Sequence, residues 1–383
     1  MSMSAIYLDN NSTTPCAPEV IADMSPYFAE AFGNPASPHS CGRTASSAVT
    51  RAREQIASTI GVEPAAVIFT SGATEANNLA LFGLARRASD RRKIVVSAVE
   101  HKSVLVPADA VAEEGFLVEH LPVDGNGVVV LEAARRIIDA KTLAVSVQAA
   151  NNETGVLQPV KEVAEIARSV GAMCHCDAAQ AIGKIPVDVA DLGVDLASFS
   201  AHKAYGPKGI GVLAVCTTRI RPWLKPVLVG GGQEGNLRAG TLNVPGIVGF
   251  GTACRLASML LRDDTLRISS LRRICEERLL QGIPSARING RAAPRLSGTI
   301  SLTIPGVPAD ILMANLQTVC IGDGAACHSG ALEPSHVLLA MNLSRADAEC
   351  TVRISLGRYT TEGDVIAAVD ELISAAQRLL AGA

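Results

Sequence analysis

The first two-thirds of the chain alternate short β-branched apolar runs with longer runs of helical periodicity, and no other feature restricts the fold as strongly. Strands that alternate with helices form βαβ units, whose strands lie side by side in a mostly parallel sheet. The stretch 160–170 is a helical example, because its apolar residues recur three and four positions apart. The predicted strands are 67–70, 94–97, 143–147, 172–176, 196–200 and 211–215.

Polar residues follow five of these predicted strands. Parallel strands end at one edge of their sheet, and ligands of open α/β sheets bind at that edge. Any one cluster would be an ordinary turn, but five at one edge predict a single composite site. The clusters are 71–75, 100–102, 151–153, 177–180 and 200–203.

The pattern changes near residue 243, where a long helical stretch begins that is followed by prolines and shorter elements. Strands 298–304, 318–321 and 351–356 and a final helix are typical of a smaller α+β domain, and Thr361 with Asp364 predicts a capping box for that helix. The sequence therefore predicts an α/β protein with a large domain of residues 14–255. The small domain comprises residues 1–13 and 256–383 and carries the loop around Cys327.

Composition excludes several functional classes. The chain has 383 residues, with 34 Lys+Arg and 37 Asp+Glu and a net charge of −3, so we expect no direct contact with nucleic acid. No apolar run reaches the ~18 residues of a membrane span, and the N-terminus does not resemble a signal peptide. Ten cysteines are too few for a disulfide scaffold, which favours the reducing cytoplasm. Neither a dinucleotide-binding glycine motif nor a P-loop is present.

Lys203 and Asp177 are the first candidate pair. Lys203 lies at the end of a strand, where desolvation would lower its pKa and favour Schiff-base chemistry. The alternative is a lysine that binds a phosphate or that extends its ammonium group to solvent. Asp177 directly follows the preceding strand, one βαβ step earlier, and a buried carboxylate needs a partner. A cationic ring nitrogen is such a partner, and an aspartate with a Schiff-base lysine is the pattern of pyridoxal phosphate sites.

Two further segments are candidates. Residues 70–77 join a predicted strand to a predicted helix. The first N–H groups of that helix, together with threonine hydroxyls, would form an anion-binding site. The alternative is that the serine and threonine residues are ordinary helix caps. Cys327 lies between glycines in 322–330, which predicts an accessible thiol of the reactive kind; an inert loop cysteine is the alternative. In Cys174-His175-Cys176 the histidine points away from the two cysteines, so we predict no metal site.

Ten motifs occur in order almost from one end of the chain to the other. They are YLDNNSTTP (7–15), FGNP (32–35), FTSGATE (69–75), EHK (100–102), NNE (151–153), SAHK (200–203), YGPKG (205–209), GGGQE (230–234), RAGT (238–241) and RISLGR (353–358).

In these motifs the sequence resembles the class-V, fold-type I pyridoxal phosphate enzymes, and among them the cysteine desulfurases of the NifS/IscS type. The resemblance implies that Lys203 forms the Schiff base with the cofactor, that Asp177 pairs with its ring nitrogen, and that His101 stacks on the ring and shuttles protons. It further implies that Gln180 and Asn152 approach the ring oxygen and the substrate.

The same resemblance assigns the remaining groups. Arg353 would bind the substrate carboxylate, and Cys327 would take the sulfur of L-cysteine as a persulfide, leaving L-alanine. Lys203 would remove the Cα proton, and the persulfide would pass to a protein acceptor, as in iron–sulfur cluster assembly. The phosphate would be held by Ala73, Thr74, Ser200 and His202, with Thr241 supplied by the second subunit of a homodimer.

Departures from the family pattern leave the pathway open. The cysteine loop differs at Asp323, Ala325 and His328, and the chain ends at Ala383, without the longer tail of the housekeeping iron–sulfur branch. This favours an accessory role, such as that of the DndA-like desulfurases that serve DNA phosphorothioate modification. A selenocysteine lyase, a class-V aminotransferase and a non-catalytic partner-binding protein are the alternative functions, and fold alone does not separate them.

Overall fold

The computed structural model describes residues 5–87, 90–216, 224–324 and 334–382; Cys327, Ala325 and His328 lie outside these ranges. The strands there are β1 (Ile6–Tyr7), β2 (Val67–Thr70), β3 (Lys93–Ser97), β4 (Leu117–Leu121), β5 (Thr142–Ser146), β6 (Met173–Asp177), β7 (Leu196–Ser200), β8 (Gly211–Val215), β9 (Arg287–Ile288), β10 (Thr299–Thr303), β11 (Val319–Cys320) and β12 (Thr351–Ser355).

The helices of the same ranges fill the spaces between these strands. They are α1 (Pro18–Met24), α2 (Pro26–Ala29), α3 (Ser40–Ile60), α4 (Ala73–Ala85), α5 (Lys102–Glu113), α6 (Leu131–Ile137), α7 (Val160–Ser169), α8 (Val189–Leu192), α9 (Val244–Gly282), α10 (Ala309–Ala314), α11 (His336–Ala340), α12 (Arg345–Glu349) and α13 (Glu362–Ala381).

Seven of these strands form the central sheet, in the order β2-β8-β7-β6-β5-β3-β4. Strands β3 to β7 pair in parallel, whereas β8 is antiparallel to both of its neighbours, so β2 points the same way as β7. The polar clusters that follow β2, β3, β5, β6 and β7 therefore meet at one edge, which confirms the predicted α/β class and mostly parallel sheet. Strand β4 was not predicted, because this partly exposed edge strand carries Glu119 and His120 instead of an apolar run.

The apolar strand residues are buried because helices cover both faces of the sheet. A second core lies around the three-stranded antiparallel sheet β12-β10-β9, against which α13 packs. The predicted capping box of α13 is present: Thr361 Oγ1 accepts from the Asp364 N–H at 3.1 Å, and the Asp364 carboxylate accepts from the Thr361 N–H at 2.9 Å. The N-terminal strand β1 joins this region by pairing with β11.

Helix α9 connects the two cores. Its first turns bury Ile247 and Phe250 in the core of the large sheet, and its later turns bury Leu271 and Leu279 in the second core. The predicted domain boundary after residue 255 falls inside this helix and stays a prediction. Among the helices of the described ranges, α9 alone is long and apolar enough to cross a membrane, but 56% of the qualifying window is buried in the fold, as in core helices of globular proteins.

Gly211 brings two backbone segments into contact at the site edge. A Cβ on this residue would lie 2.5 Å from both the Gly72 Cα and the Phe199 carbonyl oxygen. We expect Gly211→Ala to lower the free energy of unfolding by about 1–3 kcal/mol, because the backbone must shift to admit a methyl group. Urea unfolding measures this, with Gly125→Ala as the control, since a Cβ there meets no atom within 4 Å. Equal midpoints for the two variants would contradict the prediction.

Candidate active site

The polar clusters at the sheet edge line one cavity of about 500 Å³. Thr241 does not line it, and Cys327 lies outside the described residues. The predicted site residues that the structure brings together around this cavity are Ala73, Thr74, His101, Asn152, Asp177, Gln180, Ser200, His202, Lys203 and Arg353.

Lys203 lies in a short 3₁₀ turn, Ala201–Lys203, directly after β7. Its Nζ donates to the carbonyl oxygens of Asn11 at 2.5 Å and Ser12 at 2.8 Å. These two acceptors belong to the segment of residues 9–14, which we call the N-terminal strap. The strap therefore holds the lysine amine at the cavity through two carbonyl oxygens.

Asp177 ends β6, next to the end of β7, as the sequence predicts. The residue is only 6% exposed, and its carboxylate accepts from the Ala179 N–H at 3.0 Å and from Asn77 Nδ2 at 2.8 Å. These donors stabilise a buried negative charge at the wall of the cavity. A cationic ring nitrogen is the type of group that this carboxylate would bind.

The N-terminus of α4 opens into the same cavity. Its N-cap, Gly72, provides no side-chain cap, so the first N–H groups of this 13-residue helix are available to an anion. Ser200 and His202 line the cavity together with this helix end. Burial lowers the pKa of His202 to about 4, as do the nearby cations Lys203 and Lys208, so His202 is neutral here. This donor set fits a phosphate group.

His101 is the N-cap of α5. Its Nδ1 accepts from the Ser103 N–H at 3.0 Å and lies 2.8 Å from Ser103 Oγ. Burial lowers the pKa of His101, and Lys203 and Lys102 act in the same direction, whereas the charge of Asp177 opposes them. The imidazole is therefore neutral at pH 7.

Arg353 extends into the cavity from β12 of the small sheet and is 2% exposed. Its guanidinium donates to Asp9 Oδ1 at 2.7 Å, to Ser12 Oγ at 2.6 Å and to the Asn152 carbonyl at 3.1 Å. Its Nε has no hydrogen-bond partner within the described part of the chain. A guanidinium with one unused buried donor can accept a carboxylate ligand.

Sequence reasoning missed Asn11 as a site residue. Its carbonyl accepts from Lys203 and also from Gln180 Nε2 at 2.9 Å, and its Nδ2 donates to the Asn152 carbonyl at 3.1 Å and to Thr299 Oγ1 at 2.9 Å. Asn11 thus joins the large sheet to the small one. The motif at 7–15 contains it, but the strap has no helical or strand periodicity that would place it in a fold.

Lys184 and Glu153 were missed as well. Lys184 Nζ donates to Gln180 Oε1 at 2.6 Å and to Asn11 Oδ1 at 3.0 Å. Burial lowers the pKa of Lys184 far below its usual range, and the nearby cations Lys203 and Arg353 lower it further. Burial raises the pKa of Glu153 to about 7, and its Oε2 accepts from Ser335 Oγ at 2.5 Å. Only Glu153 had a sequence signal, the cluster 151–153 after β5.

The remaining predicted features lie elsewhere. Thr241 is exposed and lines a separate cavity of about 260 Å³, together with Arg53 and Glu234. His175 is fully buried, with Nδ1 2.8 Å from Ser146 Oγ and Nε2 2.9 Å from Ser198 Oγ. Both of its ring nitrogens are thus used within the sheet, which accounts for this histidine structurally.

Comparisons with known proteins agree with this geometry. Residues 6–367 match the family model described as aminotransferase class-V. The chain is 41% identical to "Cysteine desulfurase IscS" of Rickettsia felis over 98% of this chain and 92% of that protein. It resembles a solved "NifS-like protein" with a TM-score of 0.90 and 36% identity, covering 98% of this chain and 100% of the other. It also resembles DndA from Streptomyces lividans, with a TM-score of 0.77 and 37% identity, covering 92% and 99% of the two chains.

Proposed function

Because the chain belongs to the class-V aminotransferase family and, within it, to the cysteine desulfurases, we propose that Cys327 takes the sulfur atom of L-cysteine in the cavity lined by Lys203 and Asp177. L-Alanine leaves, and the sulfur stays on Cys327 as a persulfide. One observation carries this proposal. Lys203 and Asp177 lie at neighbouring strand ends beside an uncapped helix N-terminus, in one cavity that Arg353 also lines.

The family implies a pyridoxal phosphate cofactor. The residues fit this group, because Asp177 suits a cationic ring nitrogen and the start of α4, with Ser200 and His202, suits a phosphate. When bound, the cofactor supplies a carbonyl that forms a Schiff base with an amine and a ring that takes up electron density. In this proposal Lys203 would hold the cofactor through its carbonyl, His101 would contact the ring, and Asn152 and Gln180 would contact the ring oxygen and the substrate.

The protein groups have separate tasks in the reaction. Arg353 binds the carboxylate of L-cysteine, which orients the substrate. When its amine is free, Lys203 accepts the Cα proton, with the Asn11 and Ser12 carbonyls holding that amine in place. The Cys327 thiolate attacks the substrate sulfur, so an S–S bond forms as the Cβ–S bond breaks. Overall, L-cysteine and a thiol are converted to L-alanine and a persulfide, and this reaction needs no external oxidant.

The test uses the purified full chain loaded with pyridoxal phosphate and incubated with L-cysteine without reductant. We expect alanine in solution and one extra sulfur atom on the Cys327 peptide by mass spectrometry. The Cys320 peptide is the internal control, because that thiol is exposed. Alanine without sulfur on Cys327 would overturn the assigned thiol, and the absence of alanine would overturn the proposed site.

We expect Arg353→Lys to raise the KM for L-cysteine about 10- to 100-fold, with a smaller change in kcat. A lysine ammonium has no counterpart of the buried Nε–H that is left for a ligand, and hydrogen bonds to charged groups are worth about 1.5–3 kcal/mol. Steady-state kinetics measures the change. Arg345→Lys is the control, since Arg345 is exposed and pairs with Glu349 on α12. An unchanged KM would mean that Arg353 does not bind the substrate.

We propose a homodimer in which Thr241 serves the cavity of the partner chain. Thr241 is exposed and does not line the cavity around Lys203, and Asn34 lines the same small cavity as Thr241. Large apolar side chains near both segments face solvent: Phe32 is 72% exposed and Val229 is 81% exposed. An apolar surface of this kind is typical of a subunit interface.

Mixed dimers test the arrangement. A dimer of one Lys203→Ala chain and one Thr241→Ala chain contains one complete site only if Thr241 acts on the partner chain. We then expect about half of the wild-type alanine production from this dimer and much less from either homodimer. If Thr241 acts within its own chain, the mixed dimer recovers nothing. Sedimentation velocity of the wild-type chain checks that a dimer forms.

We further propose that the persulfide passes to a protein thiol in the cytoplasm, a reducing compartment in which thiols persist. The described cysteines are all unpaired, in keeping with such a compartment. Iron–sulfur cluster assembly and DNA phosphorothioate modification are the two candidate pathways. Transfer of ³⁵S from the loaded enzyme to a purified scaffold of either pathway separates them, and transfer to neither would reject both.

A further inference from the structure

A continuous chain of hydrogen bonds connects Asp177 to His101 beneath the cavity. Its first member is Asn77, a fully buried residue of α4. Asn77 Nδ2 donates one hydrogen to Asp177 Oδ2 and the other to Ser103 Oγ, both at 2.8 Å. A carboxylate only accepts hydrogen bonds, so the amide nitrogen must face Asp177. The orientation of the Asn77 side chain is thereby fixed.

Asn77 in turn fixes the direction of the next bond. Because Ser103 Oγ accepts from Asn77, its own hydrogen is left for His101 Nδ1, which lies 2.8 Å away. The Ser103 backbone N–H also donates to Nδ1, at 3.0 Å. Two donors point at this nitrogen, so it carries no hydrogen. The single hydrogen of a neutral imidazole must then be on Nε2.

The position of His101 at the start of α5 also favours the neutral imidazole. An imidazolium would lie at the positive end of the helix dipole, and the charges around the ring include the cations Lys203 and Lys102 as well as the anion Asp177. The neutral form is therefore favoured, and its tautomer is set by the hydrogen-bond chain.

We propose that Asn77 and Ser103 are positioning residues that hold His101 as the neutral tautomer with its hydrogen on Nε2. His101 then presents a hydrogen-bond donor to the cavity that it lines, and not a base. Removal of the substrate Cα proton is left to Lys203 alone. This inference rests on the proposed function, because the state of His101 matters for the reaction only if the cavity is the active site.

The tautomer can be measured directly by NMR of the full chain labelled with ¹⁵N in its histidine rings. His101→Gln assigns the signals among the seven histidines. We expect unprotonated Nδ1 and protonated Nε2 in the wild type at pH 7, with and without added pyridoxal phosphate. Ser103→Ala should increase the protonated or Nδ1–H fraction about three- to tenfold, which corresponds to one lost hydrogen bond. Ser103→Thr, which keeps the hydroxyl, should restore the wild-type pattern.

Asn77→Ala should have the same effect on the ring, because it frees the Ser103 hydroxyl to turn. Asn78→Ala is the matched control, because the Asn78 side chain donates to the Thr74 carbonyl on its own helix. A wild-type His101 with hydrogen on Nδ1, or a tautomer unchanged in both Ser103→Ala and Asn77→Ala, would overturn the inference. Failure of the proposed function would be detected separately, because the wild-type chain would then form no alanine from L-cysteine. The NMR spectrum of His101 does not enter that result.

Discussion

Lys203→Ala should abolish the conversion of L-cysteine to alanine and the absorbance of a protein-bound Schiff base. Lys203 is the only amine that the proposed mechanism uses, and loss of the proton-transfer role alone costs about 10²- to 10⁴-fold in rate. Alanine assays and visible spectra of the purified variant measure the two losses. Lys161→Ala, an exposed lysine paired with Asp191, should behave as the wild type.

A Lys203→Ala variant that still forms alanine would contradict this role. The buried amine of Lys184, bonded to Gln180 at the same cavity wall, would then be the next candidate. The double variant with Lys184→Ala decides between these residues, because it should remove the residual activity only if Lys184 had replaced Lys203.

Cys327→Ser should bind the cofactor as the wild type does but lose alanine formation by at least about 10³-fold. A serine hydroxyl has a far higher pKa than a thiol and is a poor nucleophile towards sulfur, whereas the cofactor contacts proposed here involve other residues. Visible spectra and alanine assays separate the two properties. Cys320→Ser, at the exposed end of β11, is the matched control. Full activity of Cys327→Ser would assign sulfur transfer to a different thiol.

Local patterns in the sequence predicted the framework of the site. The apolar runs located six strands of the large sheet, and the polar residues behind them identified Asp177 and His101 at its edge. Most residues of these strands are apolar because both faces of the sheet are covered, so their signal was strong. Strand β4 was not predicted, because an exposed edge strand tolerates polar residues and so lacks an apolar run.

Contacts between distant segments could not be predicted in the same way. Asn11 reaches Lys203, Gln180 and Thr299 through carbonyl and amide groups, and no periodic pattern encodes such bonds. The pairing of Asp177 with Asn77 likewise depends on how α4 packs beside β6. The family motif at 7–15 includes the strap, whereas only the three-dimensional structure shows which residues it contacts.

The N-terminal strap has a consequence for biosynthesis. Asn10 and Asn11 of the strap bond to Ser355, which lies 345 and 344 positions further along the chain, and β1 pairs with Cys320 of β11. Contacts so far apart in sequence close late in folding. A nascent chain thus cannot complete this wall of its cavity until Ser355 has left the ribosome, long after the strands of the large sheet.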